Sequence, residues 1–473
     1  MLSFTNLAER LDDALVPSLV IDTVDSLAGQ VGVTPSEIRF FLTLLLAYPL
    51  GYIWRCLPNA KARHIYSVVT GFYLLSFIIG HQWLYIFASS FFIYLFMAIT
   101  GPFTARYTAT ISMAILAFGH LYRQYTDYLG WTLDWTMQQM IITQKLHALA
   151  YNIQDANDPN TTPEQKQRSI PQLPSSLEYY SFLLFPANIA IGPTFEYKDY
   201  IDFADGHMTS PSPFGPSLAR FTQGLLYFAL HQAINTIYPC GALLQDPKFM
   251  NNTSFLKRYL TVWIALLGVR FKYYFGWKIA EGACCISGLG YNGKNKHTHE
   301  DEWNRVENID VITYEFSQSL KVSSASWNKT TNLWLRRYVY DRCPKKWRLY
   351  FTFLVSAFWH GFYPGYYMFF LSIAVASAIH RQVRRNIRPR FMQDDGITPG
   401  KYKGLYDVMS LMATTMTLNY FIMSFVVLAL DRSLYAFRGF SFVGHVVLFL
   451  TVVLFNSGVV PAAKEKVAHA KTS

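Results

Sequence analysis

The chain has 473 residues, of which 52% are hydrophobic, 17% aromatic and 15% charged, with a formal net charge of +11. Soluble domains carry roughly 25% charged residues, so a chain this long and this poor in charge cannot cover itself with an ordinary aqueous surface. Lipid as the solvent for much of that surface resolves the conflict. The Lys and Arg residues sit in short segments between apolar runs, which fits cytoplasmic loops beside anionic headgroups better than a nucleic-acid footprint. The same basic balance suits a polyanionic substrate such as a nucleotide-containing thioester.

Residues 1–37 alternate apolar and acidic positions and lack the basic start and apolar centre of a cleavable signal peptide. They are expected to form an N-terminal amphipathic segment on or near a membrane surface. A spanning helix needs about 20 mostly apolar residues. Candidate runs in chain order are 38–54, 65–80, 82–100, 108–122, 177–192, 221–239, 256–285, 347–379, 406–430 and 437–460. The long runs 256–285 and 347–379 can each hold two pieces. The expected fold class is therefore all-α: a multi-pass transmembrane bundle of about ten or eleven spans over residues 38–460, followed by a basic tail, 461–473.

Between the runs, 152–176 is polar and Pro-rich and is expected to be loop, and 292–346 is the longest polar stretch. The basic run 381–390 directly follows an apolar run and places its end on the cytoplasmic side. The five cysteines, Cys56, Cys240, Cys284, Cys285 and Cys343, are odd in number and show no zinc spacing. Reduced thiols without a disulfide framework are expected.

Ionisable and polar groups inside apolar runs are expensive, so each is a candidate for function. His360 is the sharpest. It ends the apolar stretch Ser356-Ala357-Phe358-Trp359, and Gly361, Pro364 and Gly365 follow within five residues. Proline removes a donor and glycine loosens the helix, so the helix should break just after His360. Broken helices at membrane depth survive where the freed backbone lines protein or a water-filled cavity. That places His360 at a cavity wall as a proton acceptor, the alternative being a core histidine bonded to a neighbouring span. His120, His231 and His445 lack this context and read as structural.

A second element runs from Ser324 to Arg342. Trp327, Trp334, Tyr338 and Asp341 recur at helical spacings, with Asn328 at the helix start. Taken alone, Trp327-Asn328 reads as an N-cap before an interfacial aromatic helix. Lys272, Lys278 and Glu281 lie in an aromatic, glycine-rich setting, where a Lys/Glu pair can either glue helices together or line a substrate passage. There is no P-loop, no GxSxG elbow, no HExxH and no Cys/His metal cluster. The chemistry is expected to run without a covalent serine, a metal or another cofactor.

Trp327-Asn328 with Thr331-Asn332-x-Trp334-Leu335, and Phe358-Trp359-His360-Gly361-x-x-Pro364-Gly365-Tyr366-Tyr367, resemble the membrane-bound O-acyltransferase family, in particular its lysophospholipid acyltransferase branch. Supporting blocks are Gly192-Pro193-Thr194-Phe195-Glu196-Tyr197, Glu281-Gly282-Ala283-Cys284, Gly288 to Gly293, and Met140 to Leu149. Trp303-Asn304 departs from the pattern, which has an acidic second residue in many members.

The resemblance implies a helix bundle enclosing an intramembrane chamber in the endoplasmic reticulum, with His360 and Asn328 as the catalytic pair. It further implies Trp327, Trp334, Trp359, Tyr366 and Glu281 as substrate-binding residues. Acyl-CoA as co-substrate would enter from the cytosol and a lysophospholipid from the membrane, with no nucleic acid involved. Arg336, Arg337, Lys345 and Lys346 can meet the CoA phosphates or simply form a cytoplasmic basic face. The alternatives are acyl transfer to a diacylglycerol, a sterol or a protein. From another class comes a lipid transporter, for which an inverted repeat would speak, and none is visible.

Overall fold

Every regular element among the described residues is helical, apart from two isolated β-bridges, Lys294 with Asp301 and Met392 with Pro399. The structure, a computed structural model, describes residues 11–130, 132–393 and 395–457. The expected all-α class is therefore met. The first ten residues of the expected surface segment and the whole of the 461–473 tail lie outside the described residues.

The chain divides into two compact units, one formed by Met1–Ala229, Lys272–Asn308 and Leu333–Tyr338, the other by Leu230–Phe271, Ile309–Asn332 and Val339–Ser473. The first unit begins with helix α1, Ser18–Val31, and helix α2, Pro35–Cys56, which meet at a bend of 109°. Gly32 supplies the left-handed residue at the bend, and a capping box between Thr34 and Glu37 starts α2. Helices α3 (Ala60–Ile79), α4 (Trp83–Thr100), α5 (Ala105–Thr126) and α6 (Thr136–Asn157) follow, then the short α7 (Ser176–Leu183) and α8 (Tyr197–Ala204). Helix α9, Phe214–Ile237, and the 32-residue helix α10, Phe255–Ile286, give residues to both units.

The core of the first unit is aromatic and polar together. Trp54 donates its indole N–H to Ser67 at 3.0 Å, and Tyr179 donates its hydroxyl to the Ser90 carbonyl at 2.7 Å. At Gly71 a Cβ would lie 2.3 Å from the Leu184 carbonyl oxygen, so only glycine lets α3 approach the end of α7 this closely.

Two expectations change here. The only helix in the run 177–192 is α7, whose eight residues begin at Ser176 and span about 12 Å at 1.5 Å per residue, far short of a bilayer. Residues 184–196 leave the helix because Pro186 and Pro193 cannot continue it. Lys145 holds this buried coil through the carbonyls of Phe182 (2.7 Å) and Leu183 (3.2 Å) and the Asn188 side chain (3.3 Å). The loop expected over 152–176 starts later, since α6 runs to Asn157, and it contains one capped turn, Pro163–Lys166.

The second unit carries the elements around the expected site: the short helix Val311–Glu315, α11 (Leu320–Ser326), the start of α12 (Lys329–Tyr338), α13 (Arg348–His360), α14 (Pro364–Ile387), α15 (Lys403–Val427), α16 (Leu430–Gly439) and α17 (Val443–Asn456). Its core joins Val262, Leu266, Ile373, Tyr420, Phe421, Met423, Phe437 and Phe440. His445 shares a 2.8 Å hydrogen bond with the Tyr420 hydroxyl, and His231 donates to the Gly268 carbonyl at 2.9 Å. Both are structural, as their sequence context suggests.

By length and apolar composition, two helical stretches among the described residues can cross a bilayer, Ala60–Thr100 and Lys403–Val427. Two bent pairs, α1 with α2 and α16 with α17, raise the number to four at most. Ten or eleven spans are thus not reached on these grounds. The reason is polar cargo: α6 buries Gln138, Gln139, Gln144, Lys145, His147, Asn152 and Asp155, and α10 carries Arg270, Lys272, Lys278 and Glu281. Other helices expose large apolar side chains. Phe92 (55% exposed) and Ile99 (82%) on α4, with Phe449 (65%) and Leu450 (57%) on α17, have no business facing water.

Candidate active site

Helix α13 ends at His360 as expected. Gly361 follows at φ 125°, a region that side-chain-bearing residues rarely enter, and its N–H closes the helix onto the Ala357 and Phe358 carbonyls at 3.2 and 3.1 Å. Pro364 then opens α14 at the first helical position, where its missing N–H costs nothing. Gly365 makes the break compact. Its N–H donates to the Leu428 carbonyl at 2.7 Å, and a Cβ there would lie 2.1 Å from the Ser424 carbonyl oxygen.

The imidazole of His360 is held chemically as well as sterically. Nδ1 lies 2.7 Å from the Ser356 carbonyl oxygen, one turn back in the same helix. A carbonyl can only accept, so Nδ1 carries the proton and the neutral ring has its lone pair on Nε2. Around the ring stand Trp359, Tyr366, Phe370 and Phe425, with centroids 4.7, 5.7, 4.9 and 5.4 Å away. Trp359 and Tyr366, two expected substrate-binding residues, are therefore part of the aromatic wall at the histidine. Such a wall limits ring rotation and lowers the local dielectric.

Asn328 sits between α11 and α12 at φ 44°, a left-handed conformation that Asn tolerates better than most residues. Its carbonyl accepts the Asn332 N–H at 2.9 Å, which starts α12. Trp327, just before it, donates its N–H to the Ser323 carbonyl at 3.1 Å and lays its ring against Tyr314, 4.9 Å between centroids. The junction is anchored from below: the Leu320 N–H, at the base of α11, donates to His380 Nδ1 on α14 at 3.3 Å. Asn328 and His360 thus belong to the same unit, and the helix preceding the asparagine packs on the helix following the histidine.

Glu281, Trp334 and Arg337 lie in the first unit. The Glu281 carboxylate is 1% exposed and accepts from Lys278 Nζ at 2.8 Å and the Asn308 N–H at 2.7 Å, with Arg220 Nε at 3.6 Å. These partners engage both carboxylate oxygens and join α9, α10 and the segment at Asn308. Trp334 is buried, edge-on to His147 at 5.5 Å. Arg337, one of the basic residues that could meet CoA phosphates or form a basic face, is paired with Glu196 at 2.7 Å. Glu196 also accepts from the Tyr338 hydroxyl at 2.7 Å and from Asn152 at 3.0 Å, so the Gly192–Tyr197 block locks the end of α12. Lys345 and Lys346 are exposed.

One residue escaped the sequence reading. Arg270 on α10 is 8% exposed and forks onto Glu315 at 2.7 and 3.1 Å, and its Nη1 donates to the Asn419 side chain at 2.8 Å. It fixes the short helix that carries Tyr314 against Trp327. An arginine inside the apolar run 256–285 was the available signal.

A broken apolar helix presenting an imidazole, with an amide side chain at a tight turn of the same unit, is an arrangement that can support proton transfer from a hydroxyl. The sequence pattern of the membrane-bound O-acyltransferase family matches residues 120–423, which include both elements. The chain belongs to the membrane-bound O-acyltransferase family. Among its relatives, the lysophospholipid acyltransferase of Schizosaccharomyces pombe is 34% identical over 454 residues, 90% of this chain and 87% of the other. The lysophospholipid acyltransferase of Saccharomyces cerevisiae is 30% identical over 92% of this chain and 76% of its own. Membrane-bound glycerophospholipid O-acyltransferase 2 of Rattus norvegicus is also 30% identical, over 92% and 86%.

Proposed function

We propose that this protein transfers a fatty acyl group from acyl-CoA to the free hydroxyl of a lysophospholipid, remodelling phospholipids as a multi-pass enzyme of the endoplasmic reticulum membrane. The observation that carries the reading is His360 at the α13–α14 break, its Nδ1–H held by the Ser356 carbonyl so that Nε2 is the basic atom. Family membership and the names of the relatives agree with it. The long helices together form the bundle, and the chemistry takes place in a chamber within it.

The reaction needs no acyl-enzyme. The glycerol hydroxyl attacks the thioester carbonyl carbon as its proton passes to His360 Nε2, a contribution typically worth roughly 10²–10⁴-fold. The carbonyl becomes an oxyanion, to which the Asn328 side-chain amide donates a hydrogen bond, or the same amide holds a substrate in line. Collapse re-forms the carbonyl, breaks the C–S bond and expels CoA thiolate, which takes the proton back from the imidazolium. Trp327, Trp359 and Tyr366 supply apolar walls for acyl chain and glycerol. No cofactor or metal is invoked.

The test is thiol release from oleoyl-CoA by the detergent-purified protein, offered lysophospholipids of several headgroups and, separately, diacylglycerol, a sterol and a peptide acceptor. Release that depends on a lysophospholipid supports the reading. Release with one of the other acceptors alone would move the enzyme to a different substrate class, and no release with any acceptor would leave a carrier as the better description.

A further inference from the structure

A small hollow in the second unit is lined by Arg270, Tyr314, Glu315, Ser323, Thr414 and Asn419 among others. Three of its polar atoms, Ser323 Oγ, Thr414 Oγ1 and Asn419 Nδ2, are buried with no hydrogen-bond partner, on side chains whose residues are only 1%, 3% and 4% exposed. Buried polar atoms are satisfied in native proteins as a rule, and three orphans around one space point to something that joins them.

The chemistry of the hollow selects the ligand. Arg270 and Glu315 neutralise each other through two hydrogen bonds of 2.7 and 3.1 Å, so neither an anion nor a cation is favoured. The third guanidinium contact, Nη1 to Asn419 Oδ1 at 2.8 Å, fixes the amide so that its NH₂ points away from the arginine as a donor. The two hydroxyls can each donate or accept. The cavity volume is about 10 Å³, near the ~10–15 Å³ that one water requires and far too small for a headgroup.

We propose that this hollow is an internal hydration site, in which one water bridges Ser323, Thr414 and Asn419 and so ties α11 to α15. The water accepts from Asn419 Nδ2 and exchanges hydrogen bonds with the two hydroxyls, giving the three partners usual for buried water. Its location matters because Ser323 also supplies the carbonyl that receives the Trp327 N–H at 3.1 Å, and Tyr314, which also lines the hollow, packs on the Trp327 ring. Ser323, Thr414 and Asn419 are thus positioning residues for the turn. That last step rests on the proposed catalytic role of Asn328, whereas the hydration site itself does not.

Thr414→Val, nearly isosteric, decides the sign. If a water bridges the site, losing the hydroxyl lowers Tm by roughly 1–3 °C, Thr414→Ser restores it, and Ser323→Ala combined with Thr414→Val costs less than the sum of the two. If the hollow is dry, Thr414→Val removes an unsatisfied group, and an unchanged or raised Tm, or strict additivity, overturns the proposal. Should Thr414→Val not fold, Ser323→Ala is read by the same sign. In the kinetic arm, the same variants lower kcat for acyl transfer with little change in KM if the site positions Asn328. A lowered Tm with unchanged kcat overturns the positioning role and keeps the water. Absence of turnover in the unmodified protein would instead count against the acyltransferase reading and leave the Tm result standing.

Discussion

The Ser356 carbonyl takes the Nδ1 proton of His360, so what the residue offers to a substrate is the Nε2 lone pair. Glutamine at this position keeps much of the volume and offers no base of comparable strength. His360→Gln and His360→Ala should therefore both lower kcat by about 10²-fold or more, with the thermal transition of the detergent-solubilised protein little changed. Asn328 calls for a different pair of variants because its backbone lies at φ 44°. Asn328→Gly relieves the backbone and deletes the amide, whereas Asn328→Ala deletes the amide and adds strain. If the amide is what matters, both lose kcat by about 10²-fold while only the alanine variant loses stability. Recovery of activity in the glycine variant would mean that the turn, and not the amide, is required. His360 was legible in the sequence because Gly361, Pro364 and Gly365 crowd behind it. Arg270 was visible only as an arginine inside an apolar run, and its role was not legible, since its partners Glu315 and Asn419 lie 45 and 149 residues away.

At the scale of elements, the α13–α14 break depends on a contact no side chain permits. Gly365→Ala pushes a methyl group to within 2.1 Å of the Ser424 carbonyl oxygen, and the backbone must move. A loss of about 1–3 kcal/mol is expected from such overpacking, seen as a lower Tm together with a lower kcat, because the displaced start of α14 follows His360 by only a few residues. A second test concerns the lock on α12. Arg337 and Glu196 are paired at 2.7 Å with side chains 20% and 12% exposed. A double-mutant cycle of Arg337→Met and Glu196→Gln should show a coupling energy of about 1–3 kcal/mol; near-additive losses would mean that the pair is incidental. The sequence made the break after His360 readable through glycine and proline. It misread 177–192, where an apolar run is the inside of a buried coil. Periodicity cannot separate an apolar segment wrapped in protein from one wrapped in lipid, and Lys145, which holds that coil, comes from another helix.

For the molecule as a whole, low charge and an excess of aromatics already required lipid as solvent, and exposed rows such as Val446, Val447, Phe449 and Leu450 on α17 agree. The protein should stay with the membrane pellet after alkaline carbonate washing and leave it only with detergent. The number of crossings was much less legible, because α6 and α10 bury charged and amide groups and so lack the continuous apolar stretch by which a span is recognised.

The central claim is most directly tested by the product. Purified protein, oleoyl-CoA and a lysophospholipid with a labelled acyl chain should yield, by mass spectrometry, a phospholipid carrying both chains, with one CoA released per product formed. The His360→Ala variant, shown to be folded by its thermal transition, should yield none above background. Product formed equally well by that variant would contradict the account of the site, and CoA release without a two-chain phospholipid would contradict the proposed acceptor.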